Sequence, residues 1–211
     1  MSDFQSFAVR SAILIDLGLV TPKASRYDKA GEAPRHRARV LIPKNDTAAL
    51  TAVKAAQDAA LAAKNLHGKP GVRLLLQDGD EVDGKGVRIH PDFYAGFAFF
   101  TASAKPERAP TLQVGREKRA GAAADFYSGC QIAGAFTCFA YDMGAQSKGA
   151  SALMNLVWKI GPGQRINTGG DASDQLSDLQ VGWSADAQDR QDLVDQVTPA
   201  DGDDTLSGFF K

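Results

Sequence analysis

The sequence has few of the residues on which metal and redox sites are built. Only three histidines and two cysteines occur among 211 residues. Cys130 and Cys138 lie eight residues apart on one predicted strand, which corresponds to about 26 Å at a rise of about 3.3 Å per residue. That separation is too long for a disulfide. We therefore expect two reduced, buried cysteines, no metal and no cofactor.

Long apolar runs and a targeting signal are also missing. No run approaches the roughly 18 apolar residues of a membrane span, and the first ten residues, MSDFQSFAVR, lack the basic-then-apolar order of a signal peptide. We expect a cytoplasmic protein without a membrane partner.

Catalytic motifs are not found. The Ser128-Gly129-Cys130 triplet lacks the glycine spacing of a nucleophile elbow, and the glycines at 161–163 and 169–170 form neither a Walker loop nor a dinucleotide fingerprint. Residues 77–86 (QDGDEVDGKG) lack the ligand spacing of a calcium-binding EF-hand loop and predict a solvated acidic turn. These absences favour a binding protein over an enzyme.

The charge is divided unevenly along the chain. Residues 1–170 carry 22 Lys and Arg against 15 Asp and Glu, or +7, whereas residues 171–211 carry 2 against 10, or −8. We predict a basic binding domain over 1–170 and a disordered acidic tail over 171–211. The tail either solubilises the chain or competes for the anion-binding surface, and Phe209 and Phe210 near its end are either a partner-docking anchor or inert.

Residues 127–141 (YSGCQIAGAFTCFAY) give the clearest strand pattern. Alternate side chains of a strand point to opposite faces, so Cys130, Ile132, Phe136 and Cys138 should be core. Thr137, Phe139 and Tyr141 should then lie on an open face as a stacking platform, with Tyr127 at the start of the strand. One bulge would exchange the two faces.

Two further strands carry candidate binding groups. Residues 35–42 place three arginines on one face, which either covers a polyanion or pairs with carboxylates. Residues 97–105 place Phe97 and Phe99 on one face, which is either open or directed to the core. Trp158 either stacks on a base or fills the core.

The remaining pattern predicts a mainly β fold. Strands are expected at 7–16 and 148–160, and a basic loop at 105–120. One helix is expected at 48–66, capped by Asn45-Asp46-Thr47 and ended by Gly68 and Pro70.

Strands with spaced aromatics, Lys and Arg match the physics of single-stranded nucleic-acid binding, for which a small barrel with one inserted helix, the OB-fold, is a usual scaffold. The candidate DNA-binding residues are Arg35, Arg37, Arg39, Lys44, Phe97, Phe99, Lys105, Arg108, Tyr127, Thr137, Phe139, Tyr141, Lys148 and Trp158.

Five short segments occur in this order: LIPKNDT (41–47), QDGDE (77–81), YSGC (127–130), FAYD (139–142) and KGASALMNLVWKI (148–160). Together they resemble a family of bacteriophage single-stranded DNA-binding proteins. The resemblance implies an OB-fold over about residues 7–170 that coats single-stranded DNA during phage replication, recombination or repair, without strong sequence preference, in the cytoplasm of the bacterial host. It also implies replication or recombination proteins as partners of the tail. An annealing recombinase and a structural or virion protein remain alternatives, the recombinase with more helix.

Overall fold

The structure is a computed structural model and describes residues 4–24, 31–144 and 147–168. Long strands and one α-helix make up the described body of the protein. The helix and the long strands occur where the sequence patterns predict them. The strands are β1 Phe4–Asp16, β2 His36–Pro43, β3 Val72–Arg73, β4 Gln77–Asp78, β5 Phe97–Ala104, β6 Thr111–Val114, β7 Arg119–Ala120, β8 Gln131–Asp142 and β9 Lys148–Gly161, and the helix is α1 Thr47–Ala63.

Five of these strands close into a barrel. β1 pairs antiparallel with β2 and with β8, β2 pairs antiparallel with β5, and β8 pairs antiparallel with β9. A parallel pairing of β5 with β9 completes the ring. The cyclic order β1-β2-β5-β9-β8 is that of an OB-like barrel, so the predicted mainly β fold with one inserted helix is confirmed.

Strand alternation fills the barrel interior as the sequence predicts. Ile132, Phe136 and Cys138 of β8 are fully buried, and so are Ala38 and Val40 of β2. The two cysteines are free thiols, and burial raises the pKa of Cys138 to about 11. The parity of β8 therefore holds, and its other face is directed outward.

Three aromatic rings from three strands meet inside the barrel. Phe7 of β1 packs on Phe100 of β5 and on Phe136 of β8, with centroid distances of 5.5 and 5.6 Å. The ring of Phe100 packs edge-on to that of Phe136 at 5.1 Å. Such pairs add about 0.5–1.5 kcal/mol each beyond area burial, so they stabilise contacts between strands distant in sequence.

The helix packs one apolar face on the barrel. Asp46 caps it by accepting a hydrogen bond from Ala49 N at 3.0 Å, as the sequence predicts. Val53, Ala60 and Leu61 on this face of the helix are buried, and the helix contacts β1, β8 and β9. In the described part of the chain, no helix is long and apolar enough to cross a membrane.

The predicted basic loop at 105–120 is wrong in one respect. It contains β6 and β7, and β6 pairs parallel with the end of β9. The glycine and charged residues of this segment give no strand alternation, and β9, the strand that pairs with β6, is distant in sequence. The predicted tail, with Phe209 and Phe210, falls outside the described residues.

Candidate nucleic-acid interface

Phe139 and Tyr141 are half-buried on the outward face of β8, where the alternation predicted them. Phe4 on the neighbouring strand β1 lies opposite Phe139, with 6.2 Å between ring centroids. Phe4 is 56% exposed. We call Phe4, Phe139 and Tyr141 the aromatic patch. The patch offers rings to a flat ligand at the barrel surface, and sequence reasoning had missed Phe4.

A band of small and polar side chains continues from this patch around the barrel. Phe139 pairs with Ser151 of β9, and Thr137 pairs with Leu153. Leu153 in turn pairs with Ser103 of β5. All five side chains are half-buried, so the band is partly accessible to solvent. The band connects the aromatic patch to β2, the strand that carries the predicted arginines.

Thr137 itself is fixed within this band. The side-chain amide of Asn155 donates a hydrogen bond to Thr137 Oγ1 at 2.8 Å. Asn155 is exposed and occupies the position where the register of β8 and β9 shifts, between Ala135 and Phe136. A bulge of this kind turns a side chain outward. Thr137 and Asn155 together present a polar pair beside the aromatic rings.

Arginines 37 and 39 lie on β2 at the far side of the band. Arg37 pairs with Ser103 and Arg39 pairs with Thr101. Arg39 donates hydrogen bonds to Thr101 Oγ1 at 3.2 Å and to the Tyr94 hydroxyl at 2.5 Å. These partners are neutral, so they leave the guanidinium charge in place. Both arginines thus lie on the band, and the neutral partners of Arg39 leave its charge in place, while Arg37 donates a hydrogen bond to Lys23 O at 2.9 Å.

Arg35 differs from the other two arginines. It precedes β2 and forms an isolated bridge with Lys23. Its guanidinium forms an ion pair with Glu32, three residues earlier. For this arginine the carboxylate alternative raised by the sequence is the one observed.

Phe99 is not on an open surface: of the two alternatives that the sequence left for its face, the core is the one observed for this ring. Phe99 is only 1% exposed. His90 and Tyr94 pack edge-on against it, at 4.9 and 4.7 Å between centroids, and Leu41 belongs to the same buried cluster. Residues 89–96 cross over this part of β5, and we call them the covering segment. Phe99 lies beneath this segment and supports it, whereas Phe97 at the start of β5 is half-buried.

Lys44 holds the covering segment in place. Its ammonium pairs with Asp78 and, at 2.7 Å, with Asp80. Asp80 also accepts a hydrogen bond from Gly96 N at 3.1 Å and pairs with Arg88 at 3.2 Å. Hydrogen bonds from Lys44 lower the pKa of both aspartates, and those aspartates raise the pKa of Lys44. Its charge is thus balanced inside the protein.

Tyr127 is enclosed by two cations that sequence reasoning had not selected. Lys159 Nζ and the guanidinium carbon of Arg165 each lie 4.7 Å from its ring centroid. The Tyr127 hydroxyl accepts a hydrogen bond from Gly163 N at 3.2 Å. These partners come from β9 and the segment after it, so no local pattern around Tyr127 signals them.

The other candidate residues occupy separate positions. Lys105 and Arg108 are exposed at the turn that follows β5, and Lys148 is half-buried at the start of β9. Trp158 donates a hydrogen bond to Gly115 O at 2.8 Å and lies beneath Lys118. It is seven residues from Ser151 along β9, or about 23 Å at about 3.3 Å per residue. Trp158 therefore does not belong to the band.

A family described as Enterobacter phage Enc34, ssDNA-binding protein, matches residues 19–194. The chain belongs to this family. The match covers most of the barrel, and the family is one of non-enzymatic binding proteins. The resemblance that the five sequence segments carry is thereby confirmed.

Solved structures of similar fold include proteins from two phages. The single-stranded DNA-binding protein from bacteriophage Enc34 in complex with ssDNA is 18% identical, with a TM-score of 0.60, covering 77% of this chain and 90% of that one. Gp2.5, a single-stranded DNA-binding protein encoded by bacteriophage T7, is 10% identical with a TM-score of 0.50, covering 82% and 94%. At these identities the likeness concerns the fold. No curated protein matches the sequence.

Proposed function

We propose that this protein coats single-stranded DNA along the outward band, without strong sequence preference, during phage DNA replication, recombination or repair. The observation that supports this most directly is the continuity of the band from the aromatic patch to Arg37 and Arg39. Stacking on aromatic rings holds bases of any sequence, and cations hold the phosphates between them. One surface thus carries both kinds of group that a single strand requires.

The position of the band on the barrel supports the same assignment. OB-folds bind oligonucleotides on the face of their second and third strands and at the loops that join strands one to two and four to five. Here the second and third barrel strands are β2 and β5, which carry Arg37, Arg39 and Thr101. The connection between the fourth and fifth strands adjoins Tyr141 and Lys148.

Within this proposal the candidate residues have unequal roles. Phe4, Phe139 and Tyr141 stack on bases, while Arg37, Arg39, Lys105, Arg108 and Lys148 contact phosphates. Phe99 supports the surface from beneath, and Lys44 holds the covering segment. Residues 1–170 are the DNA-binding domain in this proposal, and residues 171–211 are an acidic tail that docks replication or recombination proteins in the host cytoplasm through Phe209 and Phe210.

The test is titration of fluorescent oligonucleotides, single-stranded and double-stranded, over a salt series. We expect tighter binding of the single strand and an affinity that falls linearly on a log–log plot against salt, with a slope of about −0.7 for each phosphate neutralised. Equal weak binding to both forms, or none, would reject the proposal. Rapid joining of complementary strands on large rings would indicate an annealing recombinase instead.

A further inference from the structure

Trp158 lies on the outward side of β9, away from the band. Val157, the preceding residue, is fully buried in the barrel, whereas Trp158 is half-buried. The indole Nε1 donates a hydrogen bond to Gly115 O at 2.8 Å, so the orientation of the ring is fixed. The roles proposed above for the other aromatic side chains leave this ring unassigned.

The turn between β6 and β7 holds a cation over this ring. Lys118 Nζ lies 5.3 Å from the ring centroid of Trp158. Gly115 O, which accepts from the indole, also accepts from Lys118 N at 3.2 Å, and Gly115 N donates to Lys159 O at 3.1 Å. Lys118 has a φ of +54°, in the left-handed region that is unfavourable for a residue with a side chain. The turn is therefore held against β9 in an arrangement that keeps the ammonium over the ring.

Arg10 approaches the same surface from β1. A register shift between β1 and β8 leaves Arg10 and Ser11 together opposite Ala133, and Ala133 pairs on its other side with Trp158. Two strand spacings, about 10 Å, separate β1 from β9. Because Ala133 has only a methyl group, no bulky side chain of β8 fills the space between Arg10 and Trp158.

The cations around the ring are available to an anion. Arg10, Arg116 and Lys118 are exposed, and among the residues that the structure describes none of the three forms an ion pair. Glu117 is the carboxylate of the same turn, so these four side chains have a net charge of +2. An aromatic ring beside unpaired cations is the combination that binds a base and its phosphates.

The outward face of β8 connects this ring with the aromatic patch. Between Phe139 and the partner of Trp158, the outward residues are Thr137, Ala135 and Ala133, all small and half-buried. Six residues separate Phe139 from Ala133, or about 20 Å at about 3.3 Å per residue. A single strand that follows β8 can therefore pass from the patch to Trp158 without meeting a bulky side chain of that strand.

We propose that Trp158 is a second stacking position for the bound single strand, and that Arg10, Arg116 and Lys118 contact the phosphates beside it. The inference rests on the proposed function, because the ligand is the same single strand. It extends the DNA-binding surface from the aromatic patch along β8 to the β6–β7 turn. The base at this position is held by its π-face, so the site has no base preference.

Tryptophan fluorescence tests the contact directly. The chain has two tryptophans, Trp158 and Trp183, so in the full-length Trp183→Phe variant the indole emission comes from Trp158 alone. Oligo-dT should quench this emission over the same concentrations at which the anisotropy of a labelled oligo-dT rises. Emission that stays unchanged up to saturated binding would overturn the Trp158 proposal and leave the DNA-binding proposal standing. An anisotropy that never rises would reject both.

Affinity gives a second measurement in the same Trp183→Phe background. Trp158→Leu should weaken binding of oligo-dT about five-fold or more, the lower end of the effect of one stacked base. Trp158→Phe is the matched control, since it keeps an aromatic ring and should retain most of the affinity. A Trp158→Leu chain that binds as tightly as its parent would also overturn the proposal.

Arg10→Gln tests the same surface without altering the β6–β7 turn. It should make the log–log dependence of affinity on salt shallower by about 0.7, the contribution of one phosphate contact on a single strand. Lys69→Gln is the control, because it removes an exposed cation from the loop after α1, and it should leave the slope unaltered. Equal slopes for the Arg10 and Lys69 variants would count against the proposed phosphate contacts and overturn the assignment of Arg10.

Discussion

Phe4 and Phe139 face each other across the antiparallel pair β1–β8, with their ring centroids 6.2 Å apart. The two residues are 135 positions apart in sequence. Their contact joins the first described residue of the chain to the strand that carries the clearest aromatic pattern. The ring of Phe4 is tilted by 40° to that of Phe139 and is 56% exposed, so it widens the aromatic surface that is accessible to a flat ligand.

Replacing Phe139 and Tyr141 together by alanine should weaken single-strand binding much more than it weakens the fold. Each stacked base is worth about 1–3 kcal/mol, so the loss in affinity should be about ten-fold or more. Both side chains are half-buried and outward-facing, so the midpoint of thermal unfolding should fall only modestly. Titration and melting of the same preparation measure both effects.

The matched control for that pair is Phe136→Ala on the same strand. Phe136 is fully buried, and its truncation should lower the free energy of unfolding by about 3–5 kcal/mol. If the Phe139 and Tyr141 variant melts as early as the Phe136 variant, the two outward rings are part of the core and the stacking role is wrong.

Arg37→Gln should reduce the salt dependence of binding. One phosphate contact contributes about 0.7 to the log–log slope for a single strand, so the slope should become shallower by about that amount for every oligonucleotide sequence. Arg119→Gln is the control, because Arg119 of β7 already pairs with Asp125 and lies outside the band. A slope that Arg37→Gln leaves unaltered would remove this residue from the interface.

Local sequence patterns predicted most of the fold and only part of the candidate site. Period-two alternation assigned the inward and outward faces of β8 correctly, and the Asp46 cap marked the start of α1. These signals depend only on residues that are close together in the sequence, so they can be identified without knowledge of the tertiary structure. They place Phe139 and Tyr141 outward without knowledge of any partner strand.

Long-range contacts explain what the patterns missed. Phe99 has the same alternation as an outward aromatic, but residues 89–96 return over it, and nothing near Phe99 in sequence signals that cover. The sequence around Lys44 indicates a free cation, because Asp78 and Asp80 come close to it only in the folded chain. The guanidinium of Arg165 lies 4.7 Å from the ring of Tyr127, a residue 38 positions earlier in the sequence. Pairings of this kind are decided by tertiary packing.

The Lys44 contacts make a testable contribution to stability that depends on pH. Because Asp78 and Asp80 have lowered pKa values in the folded state, their contribution is complete above their unfolded pKa of about 3.9. It is lost as the pH falls further, through the folded values. Lys44 has a raised pKa, so its contribution is complete below about pH 10.4 and is lost as the pH rises through the folded value.

Lys44→Met should therefore lower the melting temperature by a constant amount between about pH 5 and pH 9. The difference from the unsubstituted protein should shrink below about pH 4, where the aspartates become protonated. Lys54→Met, which removes an exposed pair with Asp58 on the helix, should have a smaller effect, since pairs of that kind contribute about 0.3–0.5 kcal/mol. A Lys44 effect that persists unchanged at pH 3 would show that packing, and not charge, holds the covering segment.

Removal of residues 171–211 should tighten single-strand binding at low salt, because those residues carry a formal charge of −8 beside a body of +7. The gain should diminish as salt rises, since screening at about 0.15 M limits the interaction of exposed charges to about 8 Å. A full-length chain in which the tail aspartates are replaced by asparagine separates charge from length. It should bind as tightly as the truncated chain if the tail competes through its charge. Unchanged affinity in both variants at low salt would mean that the tail does not reach the DNA-binding surface.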